Sequence, residues 1–173
     1  MRTNRLARVA SCLFLSFAML ASGQESPTRT AVLNAFTGDF VLAGATGDLR
    51  FDPHSPKQAT IHVALTPAGF QVRRSAIRGL EQMTLPLDGT QAGYTTATGN
   101  VATAKLRIKG KNLEITKEIE GKDFPRLPKS HIHSVESWSL SRDFKKLKVC
   151  GHADSNLGFM EYTKSGCQIY KRQ

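Results

Sequence analysis

Ser134-Val135-Glu136-Ser137-Trp138-Ser139-Leu140 runs into Ser141-Arg142-Asp143-Phe144 and out again as Lys145-Lys146-Leu147-Lys148-Val149. Side chains alternate faces along a strand. Trp138 and Leu140 therefore share one face of the first arm, as Leu147 and Val149 do on the returning arm. The stretch reads as a β-hairpin. Its apolar face carries the only tryptophan of the chain, and further strands must cover it.

The same grammar extends outward in both directions. Leu106-Arg107-Ile108 and Leu113-Glu114-Ile115 flank Lys109-Gly110-Lys111-Asn112, with apolar alternation on both arms and glycine in a tight loop. Ile119 extends the second arm, and Lys117 interrupts its apolar face. Earlier, Ile61, Val63 and Leu65 alternate up to the turn Thr66-Pro67-Ala68-Gly69, after which Phe70 and Val72 share a face. Met83, Leu85 and Leu87 alternate too, with Pro86 marking an edge or an irregular strand. Asp88-Gly89 and Thr98-Gly99-Asn100 are turn signals. Thr37 to Leu42 is predicted to turn through Gly44-Ala45-Thr46-Gly47-Asp48 and return as Leu49-Arg50-Phe51. Lys122 to Ser130, with Pro125 and Pro128, reads as a connecting loop. No amphipathic helix stands out after the leader, and Gln24–Thr28 reads as a loose terminus. Many short strands between regular turns imply an all-β antiparallel sheet, sandwich or barrel.

Residues 1–23 read as a signal peptide. Arg2, Arg5 and Arg8 precede an apolar run from Val9 to Leu20, and Ala21 and Gly23 are small residues at a cleavage site. The run is short for a membrane span. Val9-Ala10-Ser11-Cys12 resembles a lipobox, but the apolar residues mostly follow Cys12 instead of preceding it. Cleavage leaves residues 24–173 as a single antiparallel β domain, a size suited to one core. The leader holds three of the 24 basic residues and none of the 14 acidic ones, so the remainder carries +7. Bases scattered along alternating strands, with few aromatics among them, serve mainly to keep strand edges soluble. They do not form a specific nucleic-acid footprint. The protein is expected to be exported, periplasmic or secreted, with no transmembrane segment after the leader.

Cys150 and Cys167 remain after cleavage, and an even pair in an exported chain points to a disulfide. Were Phe159–Thr163 a full strand turning at Ser165-Gly166, the cysteines would stand two strands apart, about 10 Å. That is beyond the reach of a disulfide. The favoured arrangement makes residues 152–166 one long loop, so that the strand from Cys167 to Lys171 pairs directly with the one ending at Cys150.

Chemistry is harder to find. His131-Ile132-His133 places two imidazoles on one side of a strand, and His152 lies beyond the neighbouring strand. These three are the candidate metal ligands, although exposed polar side chains look the same. Glu114, Glu118 and Glu120 share a face that suits a solvated strand surface as well as it suits acid–base work. There is no G-x-S-x-G elbow. Gly44-Ala45-Thr46-Gly47 has no phosphate-loop lysine after it. No cofactor is called for. Phe40, Phe51, Phe70 and Trp138 either line a ligand cavity or fill the core.

The order of elements resembles a group of small exported bacterial proteins with a lipocalin-like (calycin) β-barrel and no established activity. Gly38-Asp39-Phe40 resembles their early Gly-x-Trp/Phe strand, and Asp88-Gly89 their mid-chain turn. Leu106 to Ile115 resembles their arm-turn-arm unit. Ser141-Arg142-Asp143-Phe144-Lys145 resembles a Ser-x-Asp-Gly-Lys turn, and Tyr170-Lys171-Arg172-Gln173 a closing Tyr-x-Lys-Gln. The resemblance implies an antiparallel meander forming a barrel or half-barrel. With Phe144 in place of glycine, the loop there is expected to be wider. The group has no catalytic residues to transfer.

The leading expectation is a non-enzymatic exported barrel that takes a small apolar or amphipathic ligand, or an envelope component, in its mouth. An alternative is a structural or interaction module with a filled core and a basic face for anionic polymers. The third is a metal site at His131, His133 and His152.

Overall fold

The computed structural model describes residues 27–48, 59–76, 79–121, 130–156 and 161–173. They form a helix, α1 (Pro27–Ala35), and ten strands: β1 (Gly38–Gly47), β2 (Thr60–Thr66), β3 (Gly69–Ala76), β4 (Gly79–Leu85), β5 (Ala92–Thr95), β6 (Val101–Lys109), β7 (Asn112–Glu120), β8 (His131–Leu140), β9 (Lys146–Asn156) and β10 (Glu161–Arg172). The expected signal peptide (residues 1–23), the expected return strand at residues 49–51 with Phe51, and the proline-rich segment 122–129 lie outside the described residues.

All ladders are antiparallel, in the order β4-β3-β2-β1-β10-β9-β8-β7-β6-β5. The last strand thus returns to pair with the first, Tyr170 opposite Leu42 and Arg172 opposite Phe40. The edge strands β4 and β5 lie against each other without a ladder among the described residues. The result is a nearly closed barrel, as the meander reading anticipated. Strand parity fixes what points inward. Leu106 faces Ile115 and Leu113 faces Trp138 across their ladders, and all four are buried.

One end of the barrel is plugged. Leu33 of helix α1 and Phe36 just beyond its end are buried in the same core cluster as Phe40, Leu147 and Tyr170. Arg172 fastens the helix down by donating to the Ala35 and Thr37 carbonyls (2.6 Å each) and to the Phe144 carbonyl (2.9 Å). A cation at a helix C-terminus satisfies carbonyls that lack partners within the helix. The same guanidinium lies 4.7 Å from the centroid of the Phe40 ring. The β2–β3, β4–β5, β6–β7 and β8–β9 connections sit at this end, and the remaining strand connections sit at the other.

Four expectations need correction. Pro27 and Thr28 belong to α1 and not to a loose terminus. The cue was proline at the first helical position, followed by Leu33 and Phe36 three apart. Gly44 to Gly47 continue β1 through a bulge between Leu42 and Gly44, so the glycines there bend a strand and do not make a hairpin. The cysteines are direct cross-strand partners, disulfide-bonded with Cα atoms 4.0 Å apart. Yet residues 152–156 and 161–166 extend that ladder and are not a loop. Their inward side chains are small or polar, which hid the period-2 signal. Finally, the turn after Leu140 stays tight. Phe144 N–H donates to Ser141 O (2.9 Å), and Ser141 N–H donates to Lys146 O (2.9 Å). Phe144 itself takes the left-handed conformation, φ 57°, where glycine would sit without strain.

Candidate functional site

Four charged side chains stand at positions whose strand parity is otherwise apolar. Arg74 continues the face of Phe70 and Val72, Glu81 that of Met83 and Leu85, Lys117 that of Leu113 and Ile115, and Glu136 that of Trp138. Parity therefore turns all four into the barrel. The ladders place them at one level, since Arg74 faces Glu81 across β3–β4 and Lys117 lies two residues along β7 from Glu136's partner Ile115.

Glu136 is the hub. Its Oε1 accepts from Arg74 Nη1 (2.9 Å) and Lys117 Nζ (2.8 Å), and its Oε2 accepts from Arg74 Nη2 (2.9 Å) and Trp138 Nε1 (2.9 Å). Four donors fill the lone-pair sites of one carboxylate. Lys117 reaches on to Glu81 at 3.4 Å, and the Arg74 guanidinium lies 5.7 Å from the Trp138 ring centroid. Burial opposes ionisation of Glu136, but the charges and hydrogen bonds of Arg74 and Lys117 outweigh it and hold its pKa well below the carboxylate range. The pKa of Arg74 is likewise raised, with Glu136 overcoming the effect of burial. The cluster thus joins two basic and two acidic side chains, with Glu136 and Arg74 each favoured in the charged form by the other.

The set is not fully satisfied. Arg74 Nε and the Tyr94 hydroxyl are buried and have no hydrogen-bond partner among the described residues. Tyr94 comes from β5, across the seam from Glu81. Burial first, then the nearby carboxylates of Glu81 and Glu136, push its pKa up, so it keeps its proton.

Above this cluster the wall loses its side chains. Glu136 pairs with Gly151, Gly151 with Gly166, and Gly166 with Gly47, so one inward row across four strands carries a single side chain. A Cβ built on Gly151 would meet nothing within 4 Å. The next row has Ser134 opposite Ala153. Ser134, Gly151, Ala153 and Gly166 are partly exposed, whereas Phe40, Phe70, Leu113, Trp138, Leu147 and Tyr170 nearer the helix are buried. The apolar core is therefore packed below the ionic level, and room remains beside Gly151.

The residues singled out in the sequence fall in three places. Phe40, Phe70 and Trp138 are 0% exposed and pack in the filled end, while Phe51 lies outside the described residues. His131 and His133 are on the outer surface, both turned to Glu118 (3.1 and 2.6 Å), and His152 lies 3.3 Å from Asp154. An open groove of about 430 Å³ there is lined by His131, His133, Asp154, Ser155, Asn156, Glu161 and Thr163. The three imidazoles do not converge, and no group of three His, Cys, Asp or Glu able to hold a metal occurs among the described residues. Sequence reading missed the ionic cluster, although Lys117 had been visible as an interruption of an apolar face.

No protein-family model matches the chain, and no curated protein matches it in sequence. Solved structures do match in shape. Zebrafish ileal bile acid-binding protein, in complex with cholic acid, aligns with TM-score 0.51 at 14% identity, over 80% of this chain and 99% of that one. Apo lipid binding protein 8 of Caenorhabditis elegans aligns with TM-score 0.50 at 9% identity, over 81% and 96%. At such identities the likeness is one of fold, and the fold is a calycin-like β-barrel.

Proposed function

We propose that this protein is an exported, non-enzymatic carrier that holds a small apolar or amphipathic molecule in the open half of its barrel. The observation that carries the reading is the space beside Gly151, bounded below by a buried polar cluster with two unpartnered donors. An apolar tail gains by leaving water for such a space, and a few placed polar groups orient its other end. The two barrels of similar shape, a bile acid-binding protein and a lipid binding protein, support the reading by analogy. The leader and the disulfide support export.

Trp138 reports on the site because its indole N–H is bonded to Glu136. Titrating delipidated protein with C12–C18 fatty acids, alcohols, monoacylglycerols and sterols should give a saturable change in tryptophan emission for at least one class, at one ligand per chain. Flat titrations across the panel, together with no lipid extracted from the natively purified protein, would overturn the proposal.

A further inference from the structure

The space in the barrel ends on a cluster whose charges already cancel. Arg74 and Lys117 supply two positive charges, Glu81 and Glu136 two negative. Neither cation is idle, because both are committed to Glu136 and Lys117 also reaches Glu81. A ligand carboxylate arriving there would add an uncompensated negative charge close to the buried Glu136 and the part-buried Glu81, and a buried unpaired charge is strongly disfavoured. What the cluster does offer is hydrogen-bond donors without surplus charge, the Tyr94 hydroxyl and Arg74 Nε. A donor pair of this kind is satisfied by an uncharged oxygen acceptor.

Resting on the carrier reading above, we infer that the barrel selects neutral amphiphiles with an oxygen acceptor at the polar end, such as a long-chain alcohol, ester or monoacylglycerol, over the free carboxylate of equal chain length. Glu81 sets this preference by balancing the charge, and Tyr94 by donating to the ligand oxygen. Glu81 is the member held most loosely, by one contact at 3.4 Å, so neutralising it alters charge with the least structural change.

The test uses matched C12 probes below their micellar concentrations at pH 8: dodecanol, monolaurin and dodecanoate. Binding is read by Trp138 emission and, independently, by calorimetry. At least one neutral probe should bind about tenfold or more tightly than dodecanoate, a difference on the scale of one unfavourable buried charge. Glu81→Gln leaves the cluster with a net charge of +1 and should raise the dodecanoate-to-dodecanol affinity ratio by about tenfold. Tyr94→Phe should weaken the neutral probes several-fold and leave dodecanoate unchanged. Equal or tighter binding of dodecanoate to the unmodified protein would overturn the inference while leaving the carrier reading intact. An unchanged ratio in Glu81→Gln, with the variant folded by circular dichroism, would overturn it as well. If no probe of any class binds, the carrier reading falls and this inference falls with it.

Discussion

Across the helix end of the barrel, the inward side chains are Phe40, Phe70, Leu113, Trp138, Leu147 and Tyr170, every one of them fully buried. Across the loop end the inward positions include the small residues Gly47, Ser134, Gly151, Ala153 and Gly166, with Lys164 opposite Ala153 and Ile132 opposite Ser155. The β7–β8, β8–β9 and β9–β10 ladders run through both ends, so strand pairing on this side does not decide which is filled. Side-chain volume does, and the ionic row of Arg74, Glu81, Lys117 and Glu136 marks the boundary. One half of the sheet is given to packing, and the other carries the small side chains on which the proposed ligand space rests.

The boundary itself should give the largest effect. Glu136→Leu leaves Arg74 and Lys117 buried without their shared partner, and should destabilise the protein by about 3–5 kcal/mol in urea unfolding. A loss under about 1 kcal/mol would mean that the two cations find water or other partners, and that the boundary is wet. The same carboxylate predicts an acid limb. Its folded-state pKa lies well below the ordinary 4.5, so the unfolded chain takes up this proton first as pH falls. Its contribution is complete above pH 4.5, fades as pH drops toward the folded-state value, and should be missing from the pH profile of Glu136→Leu.

The two halves can next be compared directly. Leu113→Ala removes volume from the filled end and should cost about 2–5 kcal/mol, because close-packed surroundings collapse only partly into the hole. Ala153→Leu adds volume to the other half and should cost under about 1 kcal/mol, against the 1–3 typical of overpacking a dense core. Similar losses from both substitutions would abolish the distinction. A selective loss of ligand binding in Ala153→Leu would sharpen it.

How much of this was readable in advance follows from the same contrast. The filled half announces itself in sequence, because Leu106, Ile108, Leu113, Ile115, Trp138, Leu147 and Val149 sit at period-2 spacing around recognisable turns. Both hairpins built from them were legible. The open half was not, since Gly151, Ala153 and Ser155 alternate in position without alternating in hydrophobicity, and the stretch looked like a loop. The ionic cluster was half legible. Lys117 was seen to break an apolar face, but only the ladders reveal that Arg74, Glu81 and Glu136 break theirs at the same level. The helix was missed because one fully buried residue, Leu33, with Phe36 just past its end, is too little to create a periodic stripe.

A smaller effect belongs to the turn that secures the helix end. Phe144 holds a positive φ that costs a residue with a Cβ about 1–2 kcal/mol, and its ring is 54% exposed, with little packing to offset that. Phe144→Gly should therefore stabilise the protein by about 1 kcal/mol, read as a higher urea midpoint at unchanged slope. The Arg172 Nε bond is accepted by the backbone carbonyl of residue 144 and does not use its side chain, so the substitution spares it. A loss of stability would show that the ring packs against the closed end after all, and that the plug extends further than Phe36 and Arg172.

The smallest expected change is the most direct probe of the space. Gly151 has no positive φ and is surrounded on its inward side by nothing within reach of a Cβ. Gly151→Ala should then be neutral or stabilising by about 0.4–1 kcal/mol, since alanine loses less conformational freedom on folding and meets no steric penalty. In a filled barrel the same methyl group would force neighbours apart and cost about 1–3 kcal/mol. The sign of this one measurement separates an empty upper half from a packed one without requiring that any ligand be known. Pairing it with a Trp138 titration adds the functional half of the comparison. A variant that is as stable as the parent yet binds more weakly has lost room and nothing else.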